Sequence, residues 1–231
     1  MNIALLLSGG TGRRMGSDVP KQYISMYGKM IITHCLERIC RHPMIDAMQI
    51  VAAKEWRDII FAECEYSDKL RGFSAPGGNR QLSILNGLRD ISQYAGKDDV
   101  VLVHDAARPL ISEDLISACL TEIANHDGVM PVLPMTDTVY YSSDGKQVEQ
   151  LLDRSRIFAG QAPEAFRLGN YLEANERLLP NGILSVNGST EPAIIAQLDI
   201  VMIPGDKNNL KITTRNDLER YSELLAKESG E

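Results

Sequence analysis

Four short apolar runs, IALLLSG (3–9), MQIVAA (48–53), DVVLVHD (99–105) and GVMPVLP (128–134), are bounded by turn-forming or charged residues, and helical stripes lie between them. Runs that are apolar without alternation are strands buried on both faces, as in a parallel sheet. Ile31, Ile32, Cys35, Leu36, Ile39 and Cys40 form one stripe, and Ile84, Leu85, Leu88 and Ile91 a second. Leu115, Ile116, Cys119, Leu120 and Ile123 form a third, entered through Ser112 as N-cap with Glu113 and Asp114 in the first turn. Right-handed strand–helix–strand units of this kind confine the chain to an α/β fold with a doubly wound, mostly parallel sheet.

The alternation stops near residue 136. TDTVYYSSDGKQVEQLLDR has no helical period and carries Asp144-Gly145 between β-rich flanks, which predicts a hairpin with a type I′ turn. Such an arm, over 136–158, either covers a site or grips a second subunit. Beyond it, PEAFRLGNYLEANERLL (163–179) predicts a helix, DIVMIPGD (199–206) a strand and DLERYSELLAKE (217–228) a closing amphipathic helix. No repeat or linker divides the 231 residues, so one domain spanning 1–231 is the expectation.

A net charge of -7 argues against wholesale nucleic-acid binding. The four cysteines, Cys35, Cys40, Cys64 and Cys119, make no CxxC pair and read as buried free thiols. IALLL lacks the basic flank and length of a signal segment, and no stretch reaches the ~18 apolar residues of a membrane span. A soluble, cytoplasmic protein is expected.

Against that acidic background, LLLSGGTGRRMGSDVPKQY (5–23) is a local basic feature. A glycine-rich turn behind the first strand lies at the carboxyl ends of the sheet, where ligands bind. Backbone N–H groups of Ser8, Gly9, Gly10, Thr11 and Gly12 can converge there on an anion, and Arg13, Arg14 and Lys21 add positive charge. That suits a polyphosphate. It is not a P-loop, which needs GxxxxGK[ST], nor a dinucleotide fingerprint, because Met15 stands where the third glycine of GxGxxG belongs. The residues alone leave open a surface loop with stray charge.

GGTGRRMGSDVPKQY (9–23) resembles the signature of nucleotidyltransferases that couple a nucleoside triphosphate to a sugar or polyol phosphate. VLVHDAARPLI (101–111), DTVYY with the DR that ends at Arg154, and GDKNNLKITTRNDL (205–218) narrow the resemblance. Together they are similar to the cytidylyltransferases acting on 2-C-methyl-D-erythritol 4-phosphate and to their relatives acting on ribitol 5-phosphate, from Ala4 to Leu218. The resemblance implies attack by an acceptor phosphate on the α-phosphorus of CTP, with Mg²⁺ present and pyrophosphate leaving. It places Arg14, Lys21 and Lys211 as catalytic cations. It places Asp105 as the Mg²⁺ ligand, with Ala106 beside it at the nucleotide. In APGGNRQLSILNGL (75–88) it assigns cytosine recognition to Gly77, Gly78, Arg80 and Ser83, although an acidic residue common in that turn is missing. Asn79 as a plain N-cap is compatible with this role. Arg108, Thr138, Arg154, Ala162 and Thr190 fall on the acceptor side, Thr138 and Arg154 reaching a neighbouring subunit from a dimerisation arm. A salt bridge from Arg154 to Asp153 or Glu149 is the structural alternative, and His104 reads as scaffold.

The acceptor side departs from the methylerythritol pattern. RIFAGQAPEAF (156–166) has Phe158 where tryptophan is common and Gln161-Ala162-Pro163-Glu164 where Q-T-P-Q is usual, and STEPAI (189–194) has Thr190 where aspartate is usual. Gly160 before Gln161 is more like the ribitol phosphate enzymes, whereas HDAARP leans to the methylerythritol ones. Methylerythritol phosphate is the commoner activity and is the acceptor expected first, with ribitol 5-phosphate as the alternative. Two further readings are a nucleotidyltransferase for another nucleotide and a nucleotide-binding protein without chemistry. Lys21, Asp105 and Lys211 argue against the last.

Overall fold

Strand β1 (Asn2–Leu7) is followed by the two-residue strands β2 (Ser25–Met26) and β3 (Lys29–Met30), then α1 (Ile31–Arg41), β4 (Ala47–Val51), α2 (Lys54–Ala62), β5 (Leu70–Ser74), α3 (Arg80–Ile91), β6 (Val100–Asp105), α4 (Glu113–Glu122) and β7 (Gly128–Pro134). After these come β8 (Val139–Tyr141), β9 (Gln150–Leu152), β10 (Phe158–Gly160), β11 (Glu164–Arg167), α5 (Leu168–Glu176), α6 (Glu191–Ile195), β12 (Ile200–Pro204) and α7 (Arg215–Ser229). The computed structural model describes residues 1–10, 19–64 and 68–229.

An eight-stranded sheet runs in the order β10-β7-β11-β6-β1-β4-β5, with β12 beside β7. β1, β4, β5 and β6 are parallel, as are β7 and β12, while β10 and β11 run antiparallel to their neighbours. This is the expected mixed, mostly parallel α/β sheet. Period-two alternation divides its strands between two cores. Ala4, Leu6, Met48, Ile50 and Leu102 pack against Ile32, Cys35 and Leu36 of α1, Ile60 of α2, and Ile116 and Cys119 of α4. Ile3, Leu5, Ala47, Val51, Val101 and Val103 pack on the opposite face against Ile84 and Leu88 of α3 and Tyr171 of α5. Helices therefore cover both faces. Tyr221 of α7 closes a third, smaller core with Ile31, Leu110 and Ile212.

Ser112 caps α4 as its sequence implies, accepting a hydrogen bond from the Leu115 N–H. All four cysteines are buried and none is in a disulfide. Two expectations change. The segment 163–179 is not helical throughout, because Glu164–Arg167 is strand β11, bonded to β6 and β7, before α5 begins at Leu168. The arm is an antiparallel ribbon of β8 and β9, but residues 142–149 connect its strands and no type I′ turn forms. Gly145 alone of the central pair has a positive φ, +69°, while the Asp144 carboxylate accepts from the Lys146 and Gln147 N–H groups. That side chain satisfies the backbone locally, as Asp does in Asx turns. Among the described residues, no helix is long and apolar enough to cross a membrane.

Candidate active site

Leu7, Val51, Ser74 and Asp105 stand on one row across the parallel strands, Leu7 in register with both Val51 and Asp105, and Val51 with Ser74. The segments leaving that row, after β1, β5 and β6, form the rim of the site. The chain steps from β1 outward through β4 to β5, then returns under α3 to β6 on the other side of β1. Ligands bind outside the strand ends at such a reversal.

Asp105 ends β6 there, buried, with cations converging on it. Arg80, the first residue of α3, donates to Oδ1 from Nε at 3.2 Å and from its terminal nitrogen at 3.0 Å. Lys211 Nζ lies 2.8 Å from Oδ2, and Arg108 Nε 3.8 Å from the same oxygen. Burial by itself would raise the Asp105 carboxyl, but the Arg80 and Lys211 charges override it and hold the group well below the usual carboxylate range. Lys21 joins the group from the opposite rim, its ammonium donating to the carbonyl of Ile212, next to Lys211. The structure therefore brings Lys21, Arg80, Asp105, Arg108 and Lys211 together from four separate segments. His104 is pushed down to about 4 by burial and is bonded to the Arg108 carbonyl at 3.0 Å, so it stays neutral near pH 7.

Each rim segment is tied down. The Gln22 amide donates to the carbonyls of Ser8 and Gly10 at 2.7 and 2.8 Å. The Ser8 hydroxyl donates to Tyr23 OH, which donates back to the Ser8 carbonyl and stacks on Trp56 with ring centres 4.0 Å apart. Gly9 is held so close to Pro76 that a Cβ would lie 2.7 Å from the proline Cβ. The Ala106 N–H donates to the Leu7 carbonyl. Thr11, Gly12, Arg13 and Arg14 lie outside the described residues.

In the Gly77-Gly78 turn, Ser83 Oγ accepts from the Gly77 N–H and donates to the Asn79 carbonyl, both at 2.9 Å. Asn79 caps α3 by accepting from Leu82 N–H at 2.7 Å. A Cβ on Gly77 would lie 2.4 Å from Leu82 Cβ and 2.8 Å from the Ser83 nitrogen, so the turn closes only on glycine. The N-cap and the closed Gly77-Gly78 turn are thus built by the same residues, Asn79 and Ser83.

The loop carrying Lys211 is anchored by Arg108 and by two amides, Gln161 and Asn209, that sequence reasoning gave no role. Gln161 donates to the carbonyls of Asp206 and Asn209, Asn209 donates to the Ala162 carbonyl at 2.7 Å, and Arg108 donates to the Asn209 carbonyl at 2.7 Å. Both amides sit inside the motifs quoted above, which was the available signal. Ala162 and Thr190 are buried, and Thr190 donates to Glu164 Oε1 at 3.0 Å. Thr138 and Arg154 are exposed on the arm. Arg154 donates to the Thr136 carbonyl at 2.6 Å, while Glu149 bonds Ser143 and Asp153 bonds Ser155, so the salt bridge weighed for Arg154 is not formed among the described residues.

Cations gathered on an acid at the carboxyl ends of a parallel sheet can receive phosphates, as nucleotidyl transfer requires. The family model "IspD: 2-C-methyl-D-erythritol 4-phosphate cytidylyltransferase" matches residues 2–227. The chain belongs to the IspD family. IspD-family proteins are cytidylyltransferases, and the chain is an enzyme of the nucleotidyltransferase class. It is similar to the ribitol-5-phosphate cytidylyltransferase of Streptococcus agalactiae serotype III, 31% identical over 227 residues that cover 97% of this chain and 95% of that one. It is equally similar to the 2-C-methyl-D-erythritol 4-phosphate cytidylyltransferase of Syntrophus aciditrophicus, 32% identical over 235 residues, covering 99% and 97%. The solved IspD of Francisella tularensis superposes with a TM-score of 0.80 at 26% identity, over 95% of this chain and 97% of that one. The 4-diphosphocytidyl-2C-methyl-D-erythritol synthase of Anaerococcus prevotii gives 0.83 at 23% identity, over 97% and 95%, a likeness of fold alone.

Proposed function

We propose that the protein transfers CMP from CTP to a polyol phosphate, with 2-C-methyl-D-erythritol 4-phosphate as the first acceptor. The convergence of Arg80, Lys211 and Arg108 on Asp105, with Lys21 tied to the carbonyl of Ile212 next to Lys211, carries this reading. An acceptor phosphate oxygen attacks the α-phosphorus of CTP, the bond to the bridging oxygen breaks, and pyrophosphate leaves with the electron pair. Such a step needs positioning and neutralisation of charge more than covalent help. Ser8, Gly9, Gly10, Thr11 and Gly12 cradle the triphosphate, Arg14 and Lys21 neutralise it, and Lys211 serves the α-phosphate and the acceptor. Gly77, Gly78, Arg80, Ser83 and Ala106 hold the nucleoside end.

Among the described residues no three His, Cys, Asp or Glu side chains gather into a metal-holding group. Mg²⁺ does not need one, since it takes one or two carboxylates together with substrate phosphates and water. Asp105 is ionised and stands at the strand ends, but Arg80 holds its Oδ1 and Lys211 its Oδ2, so it fits that role where Lys211 turns from the carboxylate to a bound phosphate. Bound there, Mg²⁺ would supply charge neutralisation at the phosphate oxygens. Arg108, Ala162 and Thr190 line the acceptor side.

Residues 1–231 are read as one domain with the arm, 136–158, inserted in it and pairing with a second copy of the chain. A two-stranded ribbon is marginal on its own, and Tyr140, Tyr141, Val148 and Leu151 on this one are exposed. At its root, Phe158, Val132 and Met202 help line an apolar groove of about 490 Å³. In the paired state Thr138 and Arg154 serve the acceptor site of the second copy.

Ribitol 5-phosphate is the second reading. Ala162 and Thr190 change the acceptor's hydrogen-bonding partners, and a site that bonds specific hydroxyls discriminates strongly between polyols. Pyrophosphate release from CTP and Mg²⁺, measured with 2-C-methyl-D-erythritol 4-phosphate, ribitol 5-phosphate and glycerol 3-phosphate, separates the two. Turnover with the first alone supports the leading reading, and turnover with the second alone replaces it. Lys21→Ala should cost roughly 10²–10³ in rate, and a loss of only a few-fold defeats the mechanism.

A further inference from the structure

Glu164 opens β11 two residues after Ala162 and shares a sheet face with Phe166, on the side covered by α3 and α5. Its carboxyl is buried. The Thr190 hydroxyl donates to Oε1 at 3.0 Å and the Ser189 hydroxyl to Oε2. The Arg80 charge acts on the same carboxyl while the Arg80 guanidinium bonds Asp105. Glu164 therefore holds Thr190 by direct hydrogen bonds, while its carboxyl lies in the field of the Arg80 guanidinium that bonds Asp105.

We propose that Glu164 is a positioning residue for the acceptor: its carboxylate, shared between the Ser189 and Thr190 hydroxyls under the influence of Arg80, sets the place of Thr190. The inference rests on the cytidylyltransferase reading and adds to it a group that acts through Thr190 and not on substrate. An ionised carboxylate accepts from both hydroxyls, whereas a protonated one turns one oxygen into a donor and loses part of that grip. Burial pushes the Glu164 carboxyl up to about 7, with Arg80 opposing it. The other titratable or charged groups facing it are Asp105 at the end of β6, Arg108 beyond it, Tyr171 of α5 and Cys119 of α4. The grip on Thr190 is therefore expected to loosen below neutral pH.

The test compares full-length wild type, Glu164→Gln and Thr190→Val, using whichever polyol phosphate turns over, from about pH 6 to about pH 8.5. The glutamine is already neutral, and the acceptor's own ionisation cancels in the ratio of wild type to variant. That ratio of kcat/KM for the acceptor should rise about fivefold across pH 7, with KM for CTP within about twofold of wild type. Thr190→Val should raise the acceptor KM, and adding Glu164→Gln to it should change little more. A flat ratio, additive variants, or KM for CTP rising in step with that for the acceptor overturns the proposal. Turnover with a flat ratio defeats the role of Glu164 alone, whereas no turnover with either polyol phosphate defeats the functional reading and this role together.

Discussion

Asp105→Asn keeps the shape of the side chain at the end of β6 and removes the charge on which three cations converge. Lys211 lies 2.8 Å from the carboxylate, Arg80 3.0 Å and Arg108 3.8 Å. Removing one partner of a buried ion pair costs about 3–5 kcal/mol. Here the side chains of Arg80 and Lys211 keep 33% and 34% of their surface in water, so solvent takes over part of the lost role and a cost of about 2 kcal/mol is expected. Because the carboxyl is held below the carboxylate range, its contribution is complete above the unfolded value of 3.8 and is lost as pH falls through the folded one, so the deficit should shrink in acid. Urea denaturation followed by fluorescence of Trp56, the single tryptophan, measures it at neutral pH and again in acid. Lys211→Met should cost less in the Asp105→Asn background than in wild type, by about 1 kcal/mol. If Asp105→Asn were as stable as wild type, or if the two changes simply added, the carboxylate would not be what holds these cations in place.

For Glu164 the sign is reversed: its folded carboxyl is raised from 4.5 to about 7, so its contribution is complete below the unfolded value and is lost as pH rises through the folded one. Wild type should lose up to about 3 kcal/mol relative to Glu164→Gln over that window, and parallel stability curves at pH 5 and 8 would contradict it. Gly77→Ala should cost about 2–3 kcal/mol by pressing a methyl on backbone, whereas Gly78→Ala, whose Cβ would meet nothing nearer than 3.9 Å, should be nearly neutral; urea midpoints of the two variants compare them. Deleting residues 141–147 should give monomers of poor activity by light scattering and turnover, and a stable, fully active monomer would remove the arm's role in pairing.

The parallel sheet was readable because β1, β4 and β6 are buried on both faces and therefore apolar at nearly every position, Asn2, Gln49, His104 and Asp105 being the exceptions, a pattern that solvent-facing strands do not have. β11 was not, because EAFR is too short to show a period, and what makes it a strand is pairing with β6 and β7. In the arm, Asp144-Gly145 was a sound turn signal, but the Asp144 carboxylate satisfies the backbone over a wider loop. Lys21, Asp105 and Lys211 were legible as a set because each carries a charge inside a quoted motif. Gln161, Asn209 and Glu164 were not. Position inside a quoted motif was their one signal, and it does not say what an amide or a buried acid bonds; the partners of Gln161 lie 45 and 48 residues away.

The anchors of the Lys211 loop also bear on how this chain can drift. Gln161, Asn209 and Arg108 all grip main-chain carbonyls, of Asp206, Asn209 and Ala162. Every residue type offers a carbonyl, so substitutions at Lys207 and Asn208 leave those grips intact. Variation should therefore accumulate freely between Asp206 and Asn209, while replacement of either amide would unseat a lysine that it never touches.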